Sequence, residues 1–421
     1  MTEIRSLDDP ALEWRSVLPP GRRYVALPSR SRPVIVAERT RGALRYTREA
    51  LLASPPGSRA PDWAYEGARR LLRFTPAWRA APTVTSRQAP AGSWQAELAN
   101  WIELTGHRVI ALRHSSDADA GSVLLLLSDG TPDLGIAIKV PGGPDAAARI
   151  ARERRRLQDL ARAPLDRVAS SVPRIIALPG ALDRHVVATT AQPGTPMYVS
   201  YHRNGRTRRP ERVRADFDAA ATWLADLQAA PTSAAVPLDV STATLAAAVE
   251  RIDEPGERRT VLNGLAGVRR RLRVHRAARC VVHGDFWAGN ILIRDDRVTG
   301  VVDWERWDGA GSPIRDIGRF AVAYSTYLDR HTRDGHHVRG HDGLVAGCPF
   351  GGVGYALTGT GWYPRTVRSF VSRSLVRVGL PAALGRDVVL SELAAVAAES
   401  SDPTFAARTW NQFGRLCELE R

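Results

Sequence analysis

Residues 281–305 read VVHGDFWAGNILIRDDRVTGVVDWE, and within them lie three oxygen-bearing side chains, Asp285, Asn290 and Asp303, preceded by His283. Two apolar runs, NILI and TGVVDW, flank the turn-forming RDDR, which predicts a hairpin with its apex near Asp296. Counting outward from that apex sets Asn290 opposite Asp303, and the loop HGDFWAG holds Asp285 close to both. A carboxylate and an amide oxygen suit magnesium, with nucleotide phosphates and water completing the octahedron. Asp285 is then left to accept the proton of a hydroxyl as a phosphoryl group is transferred to it. Taken singly, an Asp or Asn could as well cap a turn, and His283 could satisfy buried carbonyls. The chemistry lies in the spacing.

A second signal is a residue type used once. Of 59 basic Lys and Arg side chains, Lys139 is the only lysine. A lone lysine could be an edge charge on an exposed strand. In a chain that uses arginine everywhere else, however, it points to a site needing a compact ammonium between phosphate oxygens, which a planar guanidinium serves differently. A carboxylate from the following helix should then hold it, and Glu153 is the only glutamate of RIARERRRL. Pairing of Glu153 with Arg149 or Arg156 at helical spacing is the competing arrangement.

These residues need elements to position them. SWQAELANWIEL has helical spacing behind a serine N-cap, with Glu97 near the first turn. HRVIALRH, SVLLLLSD and LGIAIKV read as three antiparallel strands, and PDAAARIARERRRLQDLAR as a helix. Alternation along the third strand sends Ile136, Ile138 and Val140 to one face, and Ala137 with Lys139 to the other. Upstream, YVALP and PVIVAE read as short strands and ALRYTREALLA as a helix, before the Pro-rich stretches 54–61 and 75–92. Residues 1–92 are therefore expected to form an appended module.

HGDFWAGNILI followed by GVVDWE resembles the aminoglycoside phosphotransferase and choline kinase family, clearly over residues 105–330. The resemblance implies an α+β, bilobal, protein-kinase-like fold: a small antiparallel-sheet N-lobe with the interlobe linker (93–198), and a larger helical C-lobe (199–421). It implies an ATP- or GTP-dependent phosphotransferase with a hydroxyl acceptor. Asp285 becomes the catalytic base, Asn290 and Asp303 the Mg2+ ligands, Lys139 the residue on the α- and β-phosphates, and Glu153 its partner. VVATTAQPGTPM (186–197) is similar to the interlobe segment whose backbone receives adenine, and Asp316 of SPIRDIGRF resembles an aspartate that braces the catalytic loop. The loop SSDADAG departs from the GxGxxG of protein kinases, so Asp117 and Asp119 are expected to point away from phosphate. Alanine and threonine stand in the interlobe segment where the family often has glutamate, and Gln228 where a histidine is frequent.

Composition narrows the class further. The chain of 421 residues has a formal charge of +15 and an ordinary 24% of charged residues. Three separated cysteines form neither a disulfide framework nor a CxxC pair. No apolar run approaches a bilayer span, so a cytoplasmic protein without a transmembrane segment is expected. Residues 1–92 carry 16 arginines against 8 acids, a local excess of +8, which invites an anionic partner or is simply a solvated face. No specific nucleic-acid signature accompanies it. A basic chain suits a small neutral or anionic hydroxyl substrate, such as a sugar or glycan precursor, better than a polycationic aminoglycoside. A kinase-like regulatory scaffold with little turnover is the alternative. The Gly-rich 340–364 segment is a candidate lid over the acceptor, and His336, His337, His341 and Cys348 lack the paired spacing of a zinc site.

Overall fold

The computed structural model describes residues 15–30, 33–52, 62–73, 75–113, 122–128, 134–141, 146–238 and 242–419. Its first part is an eight-stranded antiparallel sheet: β1 (Arg23–Leu27), β2 (Ile35–Glu38), β3 (Thr83–Thr85), β4 (Arg108–Arg113), β5 (Ser122–Leu127), β6 (Leu134–Val140), β7 (Ile175–Ile176) and β8 (Val187–Thr190). The spatial order is β3-β1-β2-β4-β5-β6-β8-β7. Helices α1 (Arg41–Tyr46), α2 (Asp62–Leu71), α3 (Thr75–Ala80), α4 (Trp94–Leu104) and α5 (Ala146–Leu160) accompany it. As expected from its sequence, α4 starts at Ser93, whose side chain accepts the Ala96 N–H.

Strand alternation fills two separate cores. Ile138 and Val140 of β6 pack with Leu98 and Ile102 of α4 and with Val109, Leu124 and Leu126, and Ile136 lies against the same cluster. Ala137 lies against the opposite cluster of Ile35, Ala43, Ile110 and Leu125. Lys139 therefore leaves the sheet on the face away from Ile138, as the alternation predicts.

The sheet revises the expected boundary at residue 92. Strands β1, β2 and β3 are continuous with β4 to β8, because β2 pairs with β4 through Ile35–Leu112, Val36–Ala111 and Ala37–Ile110. The three expected strands β4, β5 and β6 are thus the middle of a wider sheet. The loop 115–121, with Asp117 and Asp119, lies outside the described residues.

The C-terminal part is mainly helical, with short strands β9 (Thr195–Pro196), β10 (Pro231–Pro237), β11 (Arg276–Val282), β12 (Ile291–Arg294), β13 (Arg297–Val301) and β14 (Asp308–Gly311). Its helices are α6 (Met197–Tyr201), α7 (Pro210–Leu227), α8 (Thr242–Val249), α9 (Pro255–Arg273), α10 (Ile314–Thr326), α11 (Gly351–Thr358), α12 (Trp362–Arg377), α13 (Gly385–Glu399) and α14 (Pro403–Glu418). One core joins them, centred on Phe217, Phe320, Tyr324 and Phe370 with ring centroids 4.8–5.6 Å apart. The architecture is a bilobal α+β, kinase-like fold.

The Gly-rich segment is part of this core rather than a lid. His341 is fully buried among Tyr355, Trp362 and Tyr363 and bonds the Thr207 carbonyl at 2.8 Å, and α11 buries Val353, Tyr355 and Ala356. Its glycines allow that packing: a Cβ at Gly352 would stand 2.0 Å from the Ser325 carbonyl oxygen. Among the described residues no three His, Cys, Asp or Glu side chains could hold a metal, zinc included.

Candidate active site

The hairpin forms with β12 and β13 joined through Asp295 and Asp296, both left-handed at φ 52° and 55°. Its register differs from the symmetric count. Arg294 pairs with Arg297 and Ile293 with Val298, then a bulge shifts the ladder so that Leu292 meets Gly300 and Ile291 meets Val301. Asn290 therefore faces Val302, whose N–H donates to the Asn290 carbonyl at 2.9 Å, and Asp303 lies one residue further. At Asp303 the backbone turns left-handed, with φ 68°.

That turn brings the Asp303 carboxylate to Lys139. The ammonium donates to Asp303 Oδ1 at 2.7 Å and pairs with Glu153 Oε1 of α5 at 2.6 Å. Glu153 thus pairs with Lys139 across to the sheet, and Lys139 in turn links the sheet lobe to the hairpin. Burial alone would lower the proton affinity of the amine, but Asp303 and Glu153 more than offset it and hold the ammonium above its ordinary range.

The loop before the hairpin is fastened from below. Asp316, fully buried on α10, accepts the N–H groups of His283 at 2.7 Å and Gly284 at 2.9 Å, the bracing position expected of it. His283 accepts the Asp285 N–H on Nδ1 at 3.2 Å, so its other nitrogen donates to the Val302 carbonyl at 3.0 Å. The imidazole is thus a strut between loop and hairpin. Gly284 has φ +82°, and a Cβ there would sit 2.2 Å from the Arg306 carbonyl oxygen, so the loop admits only glycine.

Asp285 has both carboxylate oxygens engaged. Oδ1 accepts from Arg319 Nε at 2.9 Å and Nη2 at 2.6 Å, and Oδ2 from Asn290 Nδ2 at 3.2 Å. Asn290 also donates to the Asp285 carbonyl at 2.9 Å. Arg319 is held in turn by Glu399 Oε2 at 2.9 Å, and Glu399 also pairs with Arg306 at 2.5 Å and Arg315 at 3.2 Å. Sequence reasoning missed Arg319 and Glu399. The available signal was helical spacing: Arg319 stands three residues after Asp316, one turn along the same helix.

The donor chemistry fits a divalent cation. With its amide nitrogen committed to Asp285, Asn290 keeps an oxygen for a hard cation, and Asp303 supplies a carboxylate now neutralised by an ammonium. Beside Asp285, Trp287 begins an aromatic wall: Tyr198 lies 5.5 Å from it edge-on and Tyr327 lies 6.4 Å from it, ring centre to ring centre. Arg330 stacks over Tyr327 at 4.9 Å and donates to the Tyr198 hydroxyl at 2.5 Å.

Comparison with known proteins bears on the whole arrangement. The family model described as "Phosphotransferase enzyme family" matches residues 111–346, more than half of the chain. No curated protein sequence matches the chain. Similar solved structures include the streptomycin–ATP ternary complex of APH(2")-IIa, with 14% identity over 78% of this chain and 97% of the other, TM-score 0.45. A thermostable aminoglycoside phosphotransferase APH(4)-Ia with ADP and hygromycin B has 14% identity over 76% of this chain and 97% of the other, TM-score 0.48. The GDP complex of aminoglycoside 2'-phosphotransferase-IIIa has 14% identity over 74% and 92%, TM-score 0.44.

Proposed function

Because the chain belongs to the phosphotransferase enzyme family, we propose that it transfers the γ-phosphate of ATP or GTP to a hydroxyl of a small neutral or anionic molecule, such as a sugar or glycan precursor. The observation that carries this reading is the single ammonium of Lys139 joining Glu153 and Asp303, with Asp285 and Asn290 hydrogen-bonded at the same hairpin.

In this reading Lys139 exchanges Asp303 for nucleotide phosphate oxygens and stays oriented by Glu153. Asn290 and Asp303 would hold Mg2+, which when bound neutralises phosphate charge. Asp285, fixed by Arg319 and Asn290, accepts the acceptor's hydroxyl proton from its place in the braced loop. Transfer then depends on positioning, since a loose phosphoryl transition state asks little covalent chemistry of the protein.

Acceptor class follows from the wall beside Asp285. Among the described residues no carboxylate pairs with Arg330, and the Asp285 charge is already met by Arg319. An acceptor there meets aromatic faces and a positive charge, which disfavours a polycation and suits a ring bearing hydroxyls or an acid group.

The test is ADP release from Mg-ATP with a panel of neutral sugars, sugar acids and aminoglycosides. Acceptor-stimulated release, lost in Asp285→Asn by about 10²–10⁴-fold with nucleotide binding kept, is the expected result. Nucleotide binding without stimulated turnover, unchanged by the substitution, would sink the enzyme reading in favour of a scaffold.

A further inference from the structure

Away from the catalytic hairpin, α2 and the turn after it meet the loop that follows α6 around an open recess lined by Glu66, Arg69, Arg70, Arg73, Asn204 and Arg209. Four guanidinium groups line it beside a single carboxylate, Glu66. Glu66 is occupied by Arg69, at 3.0 Å to Nε and 2.5 Å to Nη2, with Arg70 Nε at 3.4 Å. Among the described residues Arg73 and Arg209 have no acidic partner.

Arg203, one residue before the recess, adds a further cation that no carboxylate bonds among the described residues. Its guanidinium donates only to carbonyls, those of Leu52 at 2.6 Å, Glu49 at 2.7 Å and Arg48 at 3.4 Å, which staple the N-terminal segment to the catalytic lobe. Burial first, and then the nearby Arg69, push its pKa down to about 10, with Glu66 only partly opposing them.

An arginine on a convex surface points into water and meets little charge of its own sign. Here the side chains come from two segments far apart in sequence and converge on a concavity. Neutralising this charge by an oxyanion would relieve mutual repulsion, and arginine forks match phosphate oxygens in pairs.

We propose that this recess binds the phosphate group of a small molecule, gripped by Arg69, Arg70 and Arg73 from α2 and its turn and by Arg209 from the catalytic lobe. The ligand would be a phosphate monoester or diphosphate, and its binding would tie the N-terminal segment to the lobe already stapled by Arg203.

The experiment is calorimetric titration of the full chain with pyrophosphate, free of magnesium and at constant ionic strength. The wild type is compared with the Arg73→Ala/Arg209→Ala pair, neither residue belonging to the catalytic hairpin. Pyrophosphate bound at the nucleotide site remains in both proteins, so the recess is read as one binding event per chain that the variant loses or weakens by about tenfold or more for each arginine removed. Unchanged Mg-ATP binding by the variant shows that it is folded. If the alanine pair does not fold, Arg73→Lys/Arg209→Lys keeps the charge without the fork and is expected to weaken the same event by about tenfold. Equal stoichiometry and affinity in wild type and folded variant, or a wild type that binds no pyrophosphate beyond the nucleotide site, overturns the proposal. A null result here leaves acceptor-stimulated ADP release untouched, so the two readings fail separately.

Discussion

At the scale of single residues, Lys139 makes the sharpest demand. Its ammonium sits 2.6 Å from Glu153 and 2.7 Å from Asp303, one compact charge between two carboxylates where the wider planar head of a guanidinium would have to displace them. Lys139→Arg should therefore fold, with a melting temperature near wild type, yet lose most phosphotransfer. Near-normal turnover would show that the lysine is incidental. Arg319 makes a different demand, because it touches Asp285 and acts by holding it. Arg319→Lys keeps a charge but loses the two-nitrogen grip, so kcat should fall by about tenfold or more while the acceptor KM stays close to wild type. A fall confined to stability, with kcat intact, would reduce Arg319 to a structural role. Lys139 and its partner Glu153 stand out in the sequence because each is rare where it occurs. Arg319 does not stand out among 58 arginines, and the Glu399 that holds it is 80 residues away in the chain.

Among elements, α10 and α13 form the seam under the loop that carries Asp285. They approach closely at Gly318, where a Cβ would lie 2.5 Å from Glu392 Cγ and 2.9 Å from the Val388 carbonyl oxygen. Glu392 is buried in that seam, and its Oε2 has no hydrogen-bond partner there. Burial, only partly opposed by Arg319 and Arg315 and reinforced by Glu399 and Asp316, pushes its pKa up to about 8. The folded chain then keeps a proton that the unfolded chain releases near 4.5, so stability from this group is full below that pH and is lost as pH rises toward 8. Glu392→Gln should flatten the fall between those limits and leave the variant more stable than wild type above pH 8, read by urea midpoints across pH. Identical pH profiles for the two proteins would place the proton elsewhere. None of this seam was legible in the sequence, since it depends on which helices pack, whereas the β12–β13 hairpin was legible as a local pattern. Even there the bulge between Leu292 and Ile293 moved the partner of Asn290 from Asp303 to Val302.

For the whole molecule, the continuity of the sheet bears on what strands β1 to β3 are for. Composition and Pro-rich stretches suggested an attached module, because sequence reports linkers and charge but not which strand lies beside which. The structure instead runs β2 alongside β4 and fixes the pair with Glu38, a buried carboxylate that takes Arg22 at 3.0 Å, Arg108 at 3.1 Å and the Val109 N–H at 3.1 Å. Arg22 adds a bond to the His107 carbonyl at 2.7 Å. Ile35, Ala37 and Ala43 supply half of the buried residues in the core on the Lys139 side of the sheet. A chain beginning at Ser93 would expose the β4 edge as unpaired backbone, strip that core and remove the buried Glu38 carboxylate from Arg108. It should therefore aggregate or lose cooperative unfolding, seen by size exclusion and thermal melts, and lose phosphotransfer because β5 and β6 share the disturbed face with Lys139. A monomeric chain from Ser93 with a sharp melt and full turnover would restore the appended module and would mean that β1 to β3 merely lean on a lobe complete without them.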